Sequence, residues 1–264
     1  MEQKIIQKIS YIWRLFATGF SFLCFGIGGL ILWFLIFPVL SVLPSARNQR
    51  INRGQRIVHY SFYVFIGLMH RLGIMTYEIK GLEKLNRPGQ LIIANHPTLI
   101  DIVFLISQIK QANCIVKESL WRNLFMRGPI LNAGYIANGD PEKLIADCVA
   151  CLNCGGAMII FPEGTRSVPG VPYRFHRGAA AIALQVNKII TPVSITCYPS
   201  TLTKAEPWYQ IPEHRFHLTM EVGEDIETDQ FTEIQQKSIA VRRFNQYLMD
   251  YFTKKRDCYK DYGK

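Results

Sequence analysis

The chain has 264 residues, 49% of them hydrophobic and only 19% charged, with thirty Lys+Arg against twenty Asp+Glu and a formal net charge of +10. That apolar content excludes a disordered chain, and the lack of any repeat excludes collagen-like and coiled-coil classes. One long uncharged run, rather than several, excludes a multi-span membrane protein and leaves a globular domain with a membrane-directed appendage.

The uncharged run opens the chain. Residues 15–43 are 29 positions without a charged side chain, rich in Phe, Leu, Ile and Gly. As one helix they would extend about 43 Å at 1.5 Å per residue, against about 30 Å of hydrocarbon. Gly26, Gly28, Gly29 and Pro38 offer places to bend, so a tilted span, a re-entrant hairpin and an interfacial helix pair all fit. The charge lies beside this run: residues 1–43 net +2, residues 44–89 net +6, and the remaining 175 residues net only +2. Such placement suits anionic membrane lipids and argues against nucleic acid, which would need a basic face on the folded domain itself. Three positive residues precede the run and four closely follow it, a small bias toward a cytoplasmic C-terminal domain. The expected division is a membrane anchor over 1–50 and a catalytic domain over 51–264.

Downstream, apolar residues recur at helical spacing over 51–72, and 74–80 reads as a strand. After turns at Gly81 and Pro88-Gly89, the short apolar run 91–95 predicts a buried strand, and Pro97 is placed to open a helix through about Ser107. A strand candidate at 114–116 precedes a helix that Asp140 caps, Pro141 starts and Gly155-Gly156 closes. Three more strands are expected at 157–161, 189–197 and 216–222, with a helix over 178–187. An amphipathic last helix from 231 to about 255 ends in Lys254, Lys255 and Arg256, the sign its dipole prefers. Strands alternating with helices predict an α/β fold, a mainly parallel central sheet flanked by helices. Chemistry in such sheets sits in loops beyond the strands' C-terminal ends.

Two motifs follow predicted strands. The first is Asn95-His96-Pro97-Thr98-Leu99-Ile100-Asp101. Proline keeps the preceding residue extended, so His96 lies outside the helix and its ring can fold back toward Asp101. A carboxylate there orients the imidazole and leaves its other nitrogen as a general base. No Gly-x-Ser-x-Gly elbow supplies a nucleophile, so the attacking hydroxyl belongs to a substrate. The second motif is Phe161-Pro162-Glu163-Gly164-Thr165-Arg166-Ser167. Gly164 permits a tight turn, and Arg166 offers a planar fork for phosphate.

Together these motifs resemble the first and third signature blocks of the glycerolipid acyltransferase family, typified by 1-acylglycerol-3-phosphate acyltransferases. The resemblance covers roughly residues 75–200. Lys117-Glu118-Ser119-Leu120-Trp121, with Gly128-Pro129 and Gly134-Tyr135-Ile136, is similar to the second block, and Thr191-Pro192-Val193-Ser194-Ile195 to the fourth. The resemblance implies that His96 is the catalytic base and Asp101 its partner. It implies that Glu163, Gly164, Thr165 and Arg166, with Lys117 and the position of Asn138, bind substrate on the acceptor's phosphate side, and that Pro192 lies near the acyl-binding region. It also implies an N-terminal membrane-binding helical motif. Asn138 stands where the family usually has an arginine; an amide donates hydrogen bonds without charge, so the acceptor headgroup stays open.

The expected activity is therefore O-acyl transfer from a thioester, of acyl carrier protein or coenzyme A, to the hydroxyl of a lysophospholipid. The first candidate acceptor is 1-acylglycerol-3-phosphate, giving phosphatidate. Other lyso-acceptors of remodelling, aminolipid or specialised pathways, a thioesterase, and a non-catalytic lipid- or carrier-binding module are the alternatives. No metal or redox cofactor is required. Cys148, Cys151 and Cys154 carry a spacing seen in iron–sulfur runs, but they fall inside a predicted helix without a nearby fourth cysteine followed by proline. Seven cysteines without a disulfide framework suit a reducing compartment. The expected location is a bacterial inner membrane, with the catalytic domain on its cytoplasmic face.

Overall fold

Two short apolar runs form the centre of the sheet. β2 (Leu91–Ala94) and β5 (Ala157–Ile160) are buried at every position, as strands covered on both faces must be. The computed structural model describes residues 2–186, 189–204 and 206–262. β6 (Ile190–Tyr198) pairs parallel with β2, β3 (Ala112–Val116) pairs parallel with β5, and β4 (Ile136–Ala137) pairs parallel with β3. Beyond β6 the direction reverses. β7 (Phe216–Val222) runs antiparallel to β6 and parallel to β1 (Met75–Lys80), giving the order β1-β7-β6-β2-β5-β3-β4. The starts of β1 and β7 thus share one sheet edge with the C-terminal ends of the other five strands.

Alternation along the strands divides the core between two faces. Ile92, Ala94, Ile159, Val193 and Ile195 pack on the layer that holds α3 (Arg47–Arg71) and α4 (Asp101–Ile106). Leu91, Ile93, Met158 and Ile160 pack on the layer of α6 (Pro141–Asn153), α7 (Gly178–Val186) and α9 (Lys237–Tyr262). Asp140 caps α6 by accepting from the Glu142 and Lys143 backbone N–H groups at 2.9 and 3.3 Å, and Gly155 follows the helix at φ +81°.

Two expectations change. The helix after Pro97 starts only at Asp101, because Thr98 and Asp101 close a turn between them. The last helix is two: α8 (Asp229–Thr232) precedes α9, and Phe231 turns it back against Phe244 and Tyr247, with ring centroids 5.0 and 5.7 Å apart. The expected helix end at Asn187 lies outside the described residues.

The N-terminal run is a helix from Glu2 to Ser41, long and apolar enough to cross a membrane. The α-helix continues through Gly26, Gly28 and Gly29. Beyond them α1 (Glu2–Ile31) passes through a π-helical turn, Leu32–Ile36, into α2 (Phe37–Ser41). Pro38 has no N–H to donate and its ring crowds the turn before it, and a widened turn relieves both. The helix is apolar on both sides. Arg14, Thr18, Ser21 and Gly29 are buried against the domain together with Leu32 and Phe37, and Phe25 meets the rings of Phe62 and Phe65, while Ile5, Ile9, Phe16, Leu23, Ile31 and Phe34 face outward. Arg14 donates to the Pro212 carbonyl at 2.8 Å and also to that of Glu213. At Gly29 a Cβ would collide with the Phe125 carbonyl oxygen.

Candidate active site

Two loop segments converge where β2 and β5 end. β2 delivers Asn95, whose side chain pairs both ways with Ile195 of β6: its amide donates to the Ile195 carbonyl and its carbonyl accepts from the Ile195 N–H, each at 2.7 Å. His96 follows in extended backbone. Its Nδ1 lies 2.8 Å from Asp101 Oδ2, with the His96 side chain 18% exposed and that of Asp101 fully buried. Thr98 supplies the rest: its N–H donates to Oδ2 at 2.6 Å and its hydroxyl to Oδ1 at 2.5 Å. The Asp101 carboxylate thus accepts three bonds from one short turn. An ionised carboxylate only accepts, so Nδ1 carries the hydrogen and Nε2 keeps its lone pair.

The second motif comes off β5 and folds over the first. The His96 ring stacks on Phe161 with centroids 4.4 Å apart. Glu163 turns inward: its Oε1 accepts from the His96 backbone N–H at 2.9 Å and from the Ser167 hydroxyl at 2.8 Å. Ser167 N–H in turn donates to the His96 carbonyl at 2.7 Å. Burial raises the Glu163 carboxyl above its usual range, against the lowering effect of the His96 N–H and the Ser167 hydroxyl. Gly164 takes φ +63°, and a Cβ there would press on the His176 ring at 3.0 Å. Tyr173 stands behind, within 3.3 Å of the Asn95 amide, its phenol pushed up to about 12 by burial.

The remaining expected residues separate into groups. Arg166 Nη1 donates to the carbonyls of Leu202 and Thr203 at 2.9 and 2.8 Å, leaving its other guanidinium nitrogens for a ligand. Thr165 is half-buried on the same loop. Lys117 is exposed after β3, two strands from β2, and Asn138 after β4, three strands away. At about 4.8 Å per strand these are separations of roughly 10 and 14 Å. Asn138 Oδ1 accepts from the Glu118 N–H at 3.0 Å, tying the two loops together. Pro192 is not at the loops. It pairs with Ile93 inside the sheet, and its carbonyl accepts from Gly223 N–H at 2.9 Å at the end of the β6–β7 ladder, a place where a missing N–H costs one bond at most.

Sequence reasoning missed Thr98 and Ser167. Thr98-x-x-Asp101 is a capping-box pattern, so the first was open to detection. Ser167 had no local signal, since its partners lie 4 and 71 residues away. Among the described residues no group of three or more His, Cys, Asp or Glu could hold a metal. Cys148 is buried on α6, and Cys154, exposed, is the residue that ends it after Asn153.

Comparison with known proteins follows the same lines. Residues 76–196 match the family model described as Acyltransferase. The chain is 30% identical over 175 residues to a 1-acyl-sn-glycerol-3-phosphate acyltransferase of Cocos nucifera, covering 63% of this chain and 54% of that protein. It is 26% identical over 166 residues to the enzyme of the same name from Pseudomonas aeruginosa, covering 61% and 63%. The chain thus spans between half and two thirds of the length of these relatives. The crystal structure of the 1-acyl-sn-glycerophosphate acyltransferase of Thermotoga maritima shares the fold, with a TM-score of 0.63 and 17% identity over 94% of this chain and 98% of that one. Motifs, fold and sequence relatives agree: residues 76–196 match the Acyltransferase family model, and the chain is similar over that region to the glycerolipid acyltransferases.

Proposed function

We propose that the protein is a membrane-attached O-acyltransferase that moves a fatty acyl group from a thioester to a lysophospholipid, 1-acylglycerol-3-phosphate before others. The observation that carries this reading is the His96–Asp101 pair held by Thr98. Nε2 takes the proton of the acceptor hydroxyl as its oxygen attacks the thioester carbonyl carbon. The C–S bond then breaks, and the proton passes from Nε2 to the departing thiolate of coenzyme A or acyl carrier protein. No nucleophile of the protein and no cofactor enters the scheme. In a lysophosphatidate the phosphate sits one carbon beyond the reacting carbon, so the free nitrogens of Arg166 and the long side chain of Lys117 suit it better than Asn138. An uncharged Asn138 supports, as a second reading, an acceptor with another headgroup.

Membrane placement rests on the outer face of α1. A helix that is docked on its domain along one side and still exposes Ile5, Ile9, Phe16, Leu23 and Ile31 along the other buries that outer face in lipid. Because its inner face stays docked from Arg14 to Phe37, α1 lies along the bilayer surface rather than crossing it. The positive charge beside the apolar run suits an anionic membrane face, and the location we propose is a bacterial inner membrane with the domain on its cytoplasmic side.

The test supplies acyl-coenzyme A or acyl-acyl carrier protein, with and without lysophosphatidate and a panel of other lyso-acceptors. Acceptor-dependent acylation is expected, with His96→Ala slower by roughly 10²–10⁴-fold. Free fatty acid as the sole product would make the protein a thioesterase. Near-native transfer by His96→Ala would end the mechanism.

A further inference from the structure

We infer that the protein carries a second, discrete site that binds the phosphate of an anionic membrane lipid, built from Arg56 and Tyr60 of α3 with Lys110 and Gln111 ahead of β3. These four side chains line a cleft of about 300 Å³. It lies on the α3 side of the sheet, at the N-terminal end of β3, whereas His96 follows the C-terminal end of the parallel β2. A strand's length, roughly 15 Å, separates the two.

The electrostatics are one-sided. From Gln3 to Tyr77 the chain has no Asp or Glu but holds Lys4, Lys8, Arg14, Arg47, Arg50, Arg53, Arg56 and Arg71, and residues 102–117 also lack an acid. Among the described residues neither Arg56 nor Lys110 appears in an ion pair. Both segments that form the cleft therefore present cations without local compensation, and the donor set suits a phosphate: a guanidinium fork, an ammonium, a phenol O–H and an amide N–H. The cleft is also held open. Asn86 Oδ1 accepts from the Lys110 N–H at 2.9 Å, and its amide donates to the Gln108 carbonyl at 3.0 Å, so the segment bearing Lys110 is pinned from outside.

The surroundings favour a lipid over a free anion. Tyr60, Tyr63 and Val64 occupy one outward stripe of α3 at helical spacing, 61%, 59% and 69% exposed. Exposed tyrosines beside an aliphatic residue and a row of arginines match the headgroup level of a bilayer. A phosphate in the cleft would have its glycerol and chains directed along that stripe. The inference uses the membrane placement of the proposed function but not its acyl transfer.

The test measures partition of the full-length protein onto phosphatidylcholine vesicles with and without phosphatidylglycerol. Arg56→Gln with Lys110→Gln should lower partition onto the anionic vesicles roughly 25-fold, at about five-fold per cation. Tyr60→Phe with Gln111→Leu leaves the charge unchanged and should still cost on the order of ten-fold there, because two donors to a charged group are lost. Binding to pure phosphatidylcholine, which reports the α1 placement alone, should be equal for all three proteins. Wild-type binding by the charge-neutral double variant would overturn the discrete site in favour of diffuse attraction. Equal losses on both vesicle types would overturn it as well. Displacement from anionic vesicles by inorganic phosphate at constant ionic strength would assign the cleft to a free anion instead.

Discussion

Glu163 offers the sharpest test of how the two motifs cooperate. The family resemblance puts it with the acceptor's phosphate, yet its Oε1 is engaged by the His96 N–H at 2.9 Å and the Ser167 hydroxyl at 2.8 Å, and the side chain is buried. A carboxylate facing a phosphate would repel it, whereas a carboxylate facing two donors fixes the backbone that carries His96. Replacement by alanine strips both donors of their acceptor, at about 1–3 kcal/mol for each buried group left unpaired, so about 2–6 kcal/mol is expected in folding stability. The freed His96 backbone should also lower kcat, since a displacement of about 1 Å can cost about 10²-fold. Glu163→Gln keeps an oxygen acceptor and should hold kcat within a few-fold. Its stability has a defined pH dependence. The folded pKa of Glu163 is raised by burial, so the native state holds its proton longer than the unfolded chain, and wild-type stability falls as pH climbs from the ordinary carboxylate value through the raised one. Glutamine lacks this penalty, so the variant should gain on wild type as pH rises through that window and match it in acid. Steady-state acyl transfer, separated into kcat and acceptor KM, and urea unfolding across pH 4–8 provide the assay. A large rise in acceptor KM for Glu163→Gln, with kcat and stability unchanged, would refute the inward role and return Glu163 to the substrate.

Other outcomes follow from the same geometry. Thr98→Val removes the hydroxyl bond to Asp101 Oδ1 while preserving volume; about 1.5–3 kcal/mol of stability should be lost, with kcat falling and acceptor KM steady, as chemical denaturation and kinetics would show. Gly54→Ala would drive a methyl into the Asn132 carbonyl where α3 crosses α5 (Arg127–Asn132). Overpacking at about 1–3 kcal/mol should outweigh the helix-propensity gain of about 1 kcal/mol, so thermal unfolding should shift down; a rise in Tm would mean the two helices separate freely.

Much of the site was legible without a structure because its parts are local. The apolar runs ending at Ala94 and Ile160 announce strands buried on both faces, and a His-Pro step after one of them leaves only a few residues in which a carboxylate can reach the ring. Asp101 is in that window, and Thr98-x-x-Asp101 is a readable capping pattern. Ser167 and the inward turn of Glu163 were not readable, since a glutamate in a Gly-containing loop carries no local mark of the backbone N–H 67 residues earlier that it will accept from.

By itself the amino-acid sequence determined six of the seven strands and most of the helices in their order, the paired motifs, the α/β class and the separation of a greasy basic start from a nearly neutral remainder, because periodicity, proline and net charge act over short stretches of chain. Tertiary packing alone decided that β1 and β7 run against the other five strands, that Arg166 has two carbonyls already in hand, and which of its apolar sides α1 turns away from the domain. Each of those depends on which distant surfaces meet. A hydrophobic helix has no preferred outward side until Arg14, Ser21 and Gly29 find their partners on the folded domain.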